Sequence, residues 1–153
     1  MIEITHEPLD PEAITAKVGK NSNGAVVTFL GTTRSFTGNR KVLHLEYEAY
    51  QPMADKMLAE IVDEIRQRWS LEDVAVAHRL GRLEIGEISL VVAVASPHRK
   101  EAFAACQYSV DRIKQIVPIW KKEFFEDGEV WVGSHEEVAT PEPVQAATPD
   151  AGE

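Results

Sequence analysis

The alternation of apolar and polar positions predicts short strands with a helix between them in the first half of the chain. An apolar, β-branched run that ends at a glycine is typical of a buried strand, and strict alternation indicates a half-buried one. The predicted elements are a strand at 2–6, a helix from about Pro11 to Val18, a buried strand at 24–30, a mobile loop at 32–41 and a half-buried strand at 43–50. The apolar face of the last strand is predicted to carry Leu43, Leu45, Tyr47 and Ala49.

The same patterns predict a long helix and a pair of strands in the middle of the chain. Pro52 opens the helix, and one apolar stripe at helical spacing is expected to face the core. The stripe consists of Ala54, Met57, Leu58, Ile61, Ile65 and Trp69. Strands at 74–80 and 88–95 follow, and a short connection flanked by Gly81 and Gly86 favours an antiparallel pair. The second strand is apolar on both faces and is therefore expected at the centre of a sheet.

A second long helix is predicted after Ser96, with this serine as N-cap and Pro97 at the first helical position. Its expected apolar line consists of Phe103, Cys106, Val110, Ile113 and Val117. Pro118 ends the helix, because the residue before a proline avoids the helical region. Short extended segments at 119–125 and 129–132 complete the chain. The mixture of hairpins and helices predicts an α+β fold, with antiparallel strands, two main helices and a small additional sheet.

Composition predicts one domain over residues 1–134, followed by a disordered acidic tail at 135–153. The tail has five acidic side chains, no lysine or arginine and three prolines, so it has little to bury. Hydrophobic residues make up 44% of the chain, but no apolar run could span a bilayer, and the N-terminus lacks the features of a signal peptide. One cysteine excludes an internal disulfide framework. We therefore expect a cytoplasmic protein without membrane contact.

The charge balance excludes a general polyanion binder. The net charge is −9, and the chain outside the tail still carries 16 basic against 20 acidic residues. Nucleic-acid binding needs a clustered basic surface with interleaved aromatic residues, which this sequence lacks. Any site for an anion must therefore be a local group of cations.

The start of the second long helix is one candidate for such a group. Unpaired N–H groups and the helix dipole make a helix N-terminus attractive to anions, and His98 and Arg99 lie there. Arg99 shares the predicted inner face of the helix with Phe103. An arginine that extends its head to solvent beside a surface histidine explains this segment equally well.

Lys114 and Lys121 are a second candidate. Lys114 lies about 60° from the centre of the apolar line of its helix, at the edge of the buried face. Lys121 follows the break at Pro118, and the turn can fold it back towards Lys114. Two lysines in a partly enclosed site would depress each other's pKa, so that one could act as a base or nucleophile. Two solvated surface lysines are the simpler alternative.

The segment Gly31-Thr32-Thr33-Arg34 is a third candidate, because it ends an apolar strand with hydrogen-bonding side chains and an arginine that could hold a phosphate. Cys106 is instead predicted to be a packing residue, since it lies in the apolar line of its helix without a neighbouring cation. The histidines His6, His44, His78 and His135 lack metal-ligand spacing, so no metal site is predicted.

Several of these segments together resemble the large, catalytic subunit of molybdopterin synthase. The segments are GAVVTFLGTTR (24–34), LEYEAYQPMADKMLAEI (45–61), AVAHRLGRLEIGE (75–87), VASPHRKEAF (94–103) and VDRIKQIVPIWKKE (110–123). The resemblance runs from about residue 20 to 133. Its most specific feature is a helix start with His-Arg combined with two lysines that lie on either side of a proline.

The resemblance implies an α/β-hammerhead-type fold and a central homodimer within a heterotetramer. It also implies that each subunit receives a small ubiquitin-like partner whose C-terminal Gly-Gly tail enters a pocket. That tail carries a thiocarboxylate, which donates sulfur to cyclic pyranopterin monophosphate and so builds the dithiolene of molybdopterin. The implied enzyme is a sulfurtransferase that needs no cofactor of its own, because the partner supplies the sulfur.

The resemblance also implies roles for nine positions. Lys114 and Lys121 match the pair most closely tied to catalysis. The positions that match substrate contacts are Thr32, Thr33, Arg34, His98, Arg99, Lys122 and Glu123. Family members often have lysine at position 32, so the threonine here should contact phosphate more weakly. We hypothesise that Arg34 and Arg99 hold the phosphate.

The lysines then have distinct hypothetical roles. Lys121 would stabilise the thiocarboxylate and the developing oxyanion, and Lys114 would move a proton at the pterin side chain. The main alternative is a non-catalytic dimeric module that binds a phosphorylated metabolite and regulates a partner. It predicts ligand binding without turnover, and it does not require two clustered lysines.

Overall fold

The computed structural model describes residues 1–71 and 73–133, which contain three helices and nine strands. In chain order the elements are β1 (Ile2–Thr5), α1 (Pro11–Thr15), β2 (Ala25–Thr32), β3 (Phe36–Thr37), β4 (Arg40–Ala49), α2 (Gln51–Trp69), β5 (Val74–Arg79), β6 (Gly81–Glu84), β7 (Ile88–Ser96), α3 (Arg99–Ile116), β8 (Ile119–Phe125) and β9 (Gly128–Gly133). This order confirms the predicted α+β class. The tail predicted at 135–153 lies outside the described residues.

The first sheet has the strand order β1-β5-β7-β2, with β1 and β5 parallel and the other neighbours antiparallel. The predicted interior position of β7 is confirmed, and the burial of both its faces explains why residues 90–95 are all apolar. Val92 and Val94 face the core formed with α2 and α3, whereas Val91 and Ala93 face the smaller core beneath α1. Because successive strand residues point to opposite faces, a strand covered on both sides carries apolar side chains at consecutive positions.

Helix α2 confirms the predicted stripe. Ala54, Leu58, Ile61 and Ile65 are buried against the first sheet, and Met57 and Trp69 pack at the margin of this core. Helix α1 is shorter than predicted, since it ends at Thr15, and Asp10 caps its start by accepting hydrogen bonds from two backbone N–H groups. Among the described residues, no helix is long and apolar enough to cross a membrane.

The second sheet has the order β3-β4-β8-β9, and β6 also pairs with β4. The prediction of a plain connection between residues 81 and 86 is therefore wrong, since Gly81–Glu84 forms a strand opposite His44–Tyr47. The predicted loop at 32–41 also contains β3 and the start of β4. Their two-residue turn places Gly38 at φ 60°, a conformation that glycine adopts without strain.

The buried face of β4 differs from the predicted one near its start. The pairing of β4 with β8 shifts register between Val42 and His44. As a result Val42 is 2% exposed and packs with Leu45, whereas Leu43 is 42% exposed. The alternation across 43–49 was therefore broken at Leu43, because a bulge adds a residue without changing the sequence pattern. The strand β2 is also less buried than predicted, with Leu30 exposed at its end.

Helix α3 begins two residues later than predicted. Ser96 is the last residue of β7 and His98 is the N-cap. The Ser96 hydroxyl accepts a hydrogen bond from the His98 N–H at 3.1 Å and donates one to the His98 carbonyl, so it fixes the turn into the helix. The buried face consists of Ala102, Ala105, Cys106, Ser109 and Ile113. Phe103, predicted on this face, is 62% exposed.

The turn between β7 and α3 also requires a glycine in a neighbouring segment. Gly24 lies where its N–H donates to the Ser96 carbonyl at 3.0 Å. A Cβ atom at Gly24 would lie 2.7 Å from the Pro97 carbonyl oxygen. The close approach of these two backbones therefore depends on the missing side chain.

Candidate active site

A cleft of about 990 Å³ lies where the end of β2, the second sheet and the C-terminal end of α3 meet. This is the size of cavity that holds small-molecule ligands. Its apolar walls come from residues such as Phe29, Leu45, Ile113 and Val132. The polar and charged side chains that line it are Thr32, Arg34, Thr37, Tyr47, His78, Ser89, Lys114, Lys121 and Glu123.

The two lysines reach the cleft from either side of a chain reversal. Lys114 lies in the last turn of α3, and Val117 leaves the helix with an extended backbone because Pro118 follows it. Lys121 lies two residues into β8, which returns alongside β4. The structure thus brings both lysines of the sequence pair into one cleft. Lys114 is half-buried, and the Lys121 side chain is 12% exposed.

Lys121 shares its side of the cleft with a buried acid. Its Nζ atom lies 3.7 Å from Oε2 of Glu123, whose side chain is 7% exposed. The same oxygen accepts a hydrogen bond from the Thr37 hydroxyl at 3.0 Å. Residues i and i+2 of a strand point to the same face, which places Lys121 and Glu123 side by side. The cleft therefore contains three strong cations, including Arg34, and one carboxylate.

The segment after β2 divides between the cleft and the scaffold. Thr32 and Arg34 line the cleft, and both residues are exposed. Thr33 is buried instead, and its N–H and hydroxyl both donate to the Glu87 carbonyl at 3.0 Å. This threonine ties the strand end to the start of β7. The predicted substrate contact at Thr33 is not brought to the cleft within one chain.

Three further predicted contacts lie away from the cleft within one chain. His98 and Arg99 are exposed at the start of α3, and Arg99 lies 15 residues before Lys114, thus roughly 22 Å away along the helix axis. Lys122 points to the opposite face of β8, where its Nζ lies 3.5 Å from Glu129 and 5.0 Å from the centre of the Trp131 ring. The predicted use of these three residues as substrate contacts stays a prediction.

Four polar cleft residues were not predicted as site residues from the sequence: Thr37, Tyr47, His78 and Ser89. Tyr47 was assigned only to the apolar face of its strand, and His78 was considered only as a metal ligand. In the structure both line the cleft, with their rings edge to face at 5.0 Å. His78 Nδ1 lies 2.8 Å from the Arg79 carbonyl, and because a carbonyl only accepts, this nitrogen carries a proton. A titratable residue in an otherwise apolar strand was the available signal.

Cys106 lies in the core, where its thiol is 3.9 Å from the Val92 carbonyl. Burial raises the pKa of the Cys106 thiol to about 11. A thiol with such a pKa is almost wholly protonated at neutral pH and is a poor nucleophile. The packing role predicted for Cys106 agrees with this environment. Within residues 1–71 and 73–133, no three histidine, cysteine or carboxylate side chains come together as a possible metal site.

Comparison with known proteins gives consistent matches. The family model described as MoaE protein matches residues 4–116. The molybdopterin synthase catalytic subunit of Bacillus subtilis (strain 168) is 53% identical over 131 residues, which cover 86% of this chain and 83% of the relative. The crystal structure of molybdopterin synthase from Staphylococcus aureus matches with a TM-score of 0.82 and 48% identity, over 85% of this chain and 95% of the other.

A more distant structure supports the fold alone. It is a chain of the protein–protein complex of subunits 1 and 2 of molybdopterin-converting factor from Helicobacter pylori 26695. It shares 20% identity with this chain at a TM-score of 0.67, over 85% of this chain and 88% of the other. The relatives are named as catalytic subunits, so the alternative of a non-catalytic binding module is not favoured. As the sequence motifs predicted, the chain belongs to the molybdopterin synthase catalytic subunit family of sulfur-transferring enzymes.

Proposed function

We propose that this chain moves sulfur from the C-terminal thiocarboxylate of a small ubiquitin-like partner onto cyclic pyranopterin monophosphate, forming the dithiolene of molybdopterin. The observation that carries the proposal is the convergence of Arg34, Lys114 and Lys121 on one cleft of about 990 Å³. Both reactants are anions, and the chain as a whole is acidic. A local group of cations is therefore what would bring them together.

The three cations suit different steps. Arg34 is exposed at the rim of the cleft, where its planar guanidinium can hold the cyclic phosphate. Lys121 is the more enclosed lysine, and we assign to it the thiocarboxylate and the oxyanion that develops on its carbonyl carbon. Lys114 would move a proton at the pterin side chain as sulfur adds. The partner supplies the sulfur, so the reaction needs no cofactor bound to this chain.

The distance of His98 and Arg99 from the cleft favours a composite site. Roughly 22 Å of helix separates Arg99 from Lys114, so one chain cannot place both against a small substrate. We propose that a second copy of the chain presents its His98 and Arg99 at this cleft, within a homodimer that binds two small partners. The exposed Phe103 lies one helical turn from Arg99 and would be covered by such contact. A cytoplasmic location stays a prediction.

The first test replaces Lys114 and Lys121 singly with alanine. Each variant is mixed with purified thiocarboxylated partner and the cyclic phosphate precursor, and the formation of dithiolene is followed. We expect both variants to lose at least about 100-fold in rate, because each removes a charged group from the reaction site. The matched control is Lys56→Ala, which removes an exposed lysine of α2 that does not line the cleft. Rates close to wild type in both cleft variants would contradict the proposal.

The composite site has its own test. Arg99→Ala and Lys114→Ala chains are co-expressed so that mixed dimers form. If each site combines Lys114 of one chain with Arg99 of the other, half of the dimers are mixed and each has one intact site. The mixture should then recover roughly a quarter of the wild-type rate, although each parent is nearly inactive. A mixture no more active than the mean of its parents would show that the two residues do not act across the interface.

A further inference from the structure

Glu123 is an unexpected residue for a cleft proposed to bind two anions. The residue is 5% exposed, and it lines the cleft together with the cations Arg34, Lys114 and Lys121. A carboxylate repels a nearby phosphate or thiocarboxylate, and this repulsion is stronger where water is excluded. The match to a substrate-contacting position therefore does not explain why an acid lies here. Its protein contacts offer a better explanation.

The contacts of Glu123 with Lys121 and Thr37 use the same oxygen. Oε2 lies 3.7 Å from Lys121 Nζ and 3.0 Å from the Thr37 hydroxyl, which donates to it. Thr37 comes from the β3–β4 hairpin, 86 residues away in sequence, and the two-residue turn at Gly38 holds it over the cleft. Glu123 thus joins a lysine on its own strand to a hairpin on another part of the sheet.

The cations that line the cleft give a carboxylate beside Lys121 a physical role. Lys121 shares the cleft with Lys114 from α3 and Arg34 from the segment after β2, and the titratable Tyr47 and His78 line it from β4 and β5. Two other cations nearby disfavour the charged form of a mostly buried lysine. A carboxylate beside the lysine favours that form, and it also restricts where the ammonium group can lie.

We propose that Glu123 is a positioning residue that keeps Lys121 charged and aimed into the cleft, and that Thr37 holds Glu123 in place. The inference rests on the proposed function, in which Lys121 stabilises negative charge during sulfur transfer. Lys121, paired with a carboxylate, acts in this proposal as a fixed cation.

The test compares Glu123→Gln with Asp127→Asn. Asp127 pairs with Arg40 at 2.8 Å between the same two hairpins but lies outside the cleft, so its variant controls for the loss of one carboxylate. For Glu123→Gln we expect kcat of sulfur transfer to fall on the order of 10- to 100-fold, with little change in KM for the precursor. The alkaline limb of its pH–rate profile should move to lower pH, because the lysine ammonium has lost its anionic neighbour. The Asp127→Asn variant should match wild type in all three.

A second pair of variants keeps the test informative if Glu123→Gln does not fold. Thr37→Val removes the hydroxyl that holds the carboxylate, and Thr37→Ser restores it. The valine variant should lower kcat and shift the alkaline limb in the same direction but less, and the serine variant should return both towards wild type. A structural role alone would not move the pH profile.

The outcomes distinguish a failure of the role proposed for Glu123 from a failure of the proposed sulfur-transfer function. A raised KM with unchanged kcat in Glu123→Gln would mean that Glu123 contacts substrate, and an unchanged pH profile would also overturn the positioning role. If Lys121→Ala is inactive while Glu123→Gln and Thr37→Val behave as wild type, the inference fails and the proposed function stands. If Lys121→Ala itself transfers sulfur at the wild-type rate, the role of Lys121 fails and this inference fails with it.

Discussion

Helices α2 and α3 are joined by a charged clamp whose contribution can be measured. Glu64 on α2 accepts two hydrogen bonds from Arg112 on α3. Arg112 Nε donates to Oε1 at 3.1 Å, and Arg112 Nη2 donates to Oε2 at 3.0 Å. It also accepts one from the Tyr108 hydroxyl at 2.6 Å. Arg112 lies two residues before Lys114, so the clamp supports the end of the helix that enters the cleft. The perturbation is a double-mutant cycle of Glu64→Ala and Arg112→Ala.

The geometry sets the expected coupling energy. The contact is bidentate, which places it among the stronger ion pairs, and hydrogen bonds to charged groups contribute about 1.5–3 kcal/mol when well enclosed. The two side chains are however 28% and 31% exposed, and exposed pairs contribute only about 0.2–1 kcal/mol. We therefore expect a coupling of about 1 kcal/mol between Glu64 and Arg112. For a chain of this length that is roughly 2–4 °C in Tm.

The pH dependence of the clamp has a defined sign. The hydrogen bond from Arg112 lowers the pKa of Glu64 below its usual value of 4.5, and the bond from Tyr108 lowers it further. A lowered pKa in the folded state means that the stabilisation is fully present above the unfolded value near 4.5. It is lost as the pH falls through the lower folded value. The coupling should therefore be constant from neutral pH down to about pH 5 and decline below it.

The assay is urea unfolding of wild type, both single variants and the double variant, at neutral pH and at several acidic values. The coupling is the difference between the double variant's loss of unfolding free energy and the sum of the single losses. A coupling below about 0.3 kcal/mol at neutral pH would show that solvent screening offsets the attraction between Glu64 and Arg112. A coupling that grows on acidification would refute the sign argument, because protonated Glu64 cannot form the ion pair.

Three further predictions concern burial. Val42→Ala should lower the free energy of unfolding by about 2 kcal/mol, whereas Leu43→Ala should change it by less than about 0.5 kcal/mol, since the bulge buries the first residue and exposes the second. Gly24→Ala should cost about 1–3 kcal/mol, because its Cβ would lie 2.7 Å from a backbone oxygen, whereas Gly19→Ala meets nothing within 4 Å and should be tolerated. Cys106→Ala should keep the wild-type rate of sulfur transfer, and the native thiol should react with a thiol reagent only as the protein opens.

Each of these predictions has a contradicting result that the same measurements would reveal. Equal urea midpoints for Val42→Ala and Leu43→Ala would mean that the bulge is misplaced. A Gly24→Ala variant as stable as Gly19→Ala would show that the backbones can separate at no cost. Thiol labelling of Cys106 at the rate of a free cysteine would show that the core does not shield it.

The buried face of a helix or strand could be predicted from the sequence where apolar residues recur with the period of that helix or strand. The stripe of α2 follows the helical period, and residues 90–95 of β7 are all apolar because helices cover both faces of the sheet. The two lysines could be placed near each other because only a proline turn separates their elements. In each case the determining interactions are local in the chain or depend on the average surroundings of one element.

Features that depend on a distant partner could not be predicted in this way. The strand β6 forms because β4 offers it a free edge, and the bulge at Val42 reflects the register with β8 rather than any local pattern. Ser96 was a plausible N-cap, but pairing with Ala25 keeps it in a strand. The buried side of α3 differs from the predicted one at Phe103, since the sheet beneath the helix decides which side is covered.

The sequence by itself determined the α+β class, the main core stripes and the family motifs. Periodicity and motif spacing depend only on the order of residues along the chain. The tertiary structure decided which of the predicted site residues share one cleft within a chain. It places Arg34, Lys114, Lys121 and Glu123 in one cleft and leaves Arg99 at the far end of α3. It also adds Thr37, Tyr47, His78 and Ser89, which the sequence did not single out as substrate-site residues. A site is made by contacts between residues far apart in the chain, and only the packing of the two sheets and α3 fixes those contacts.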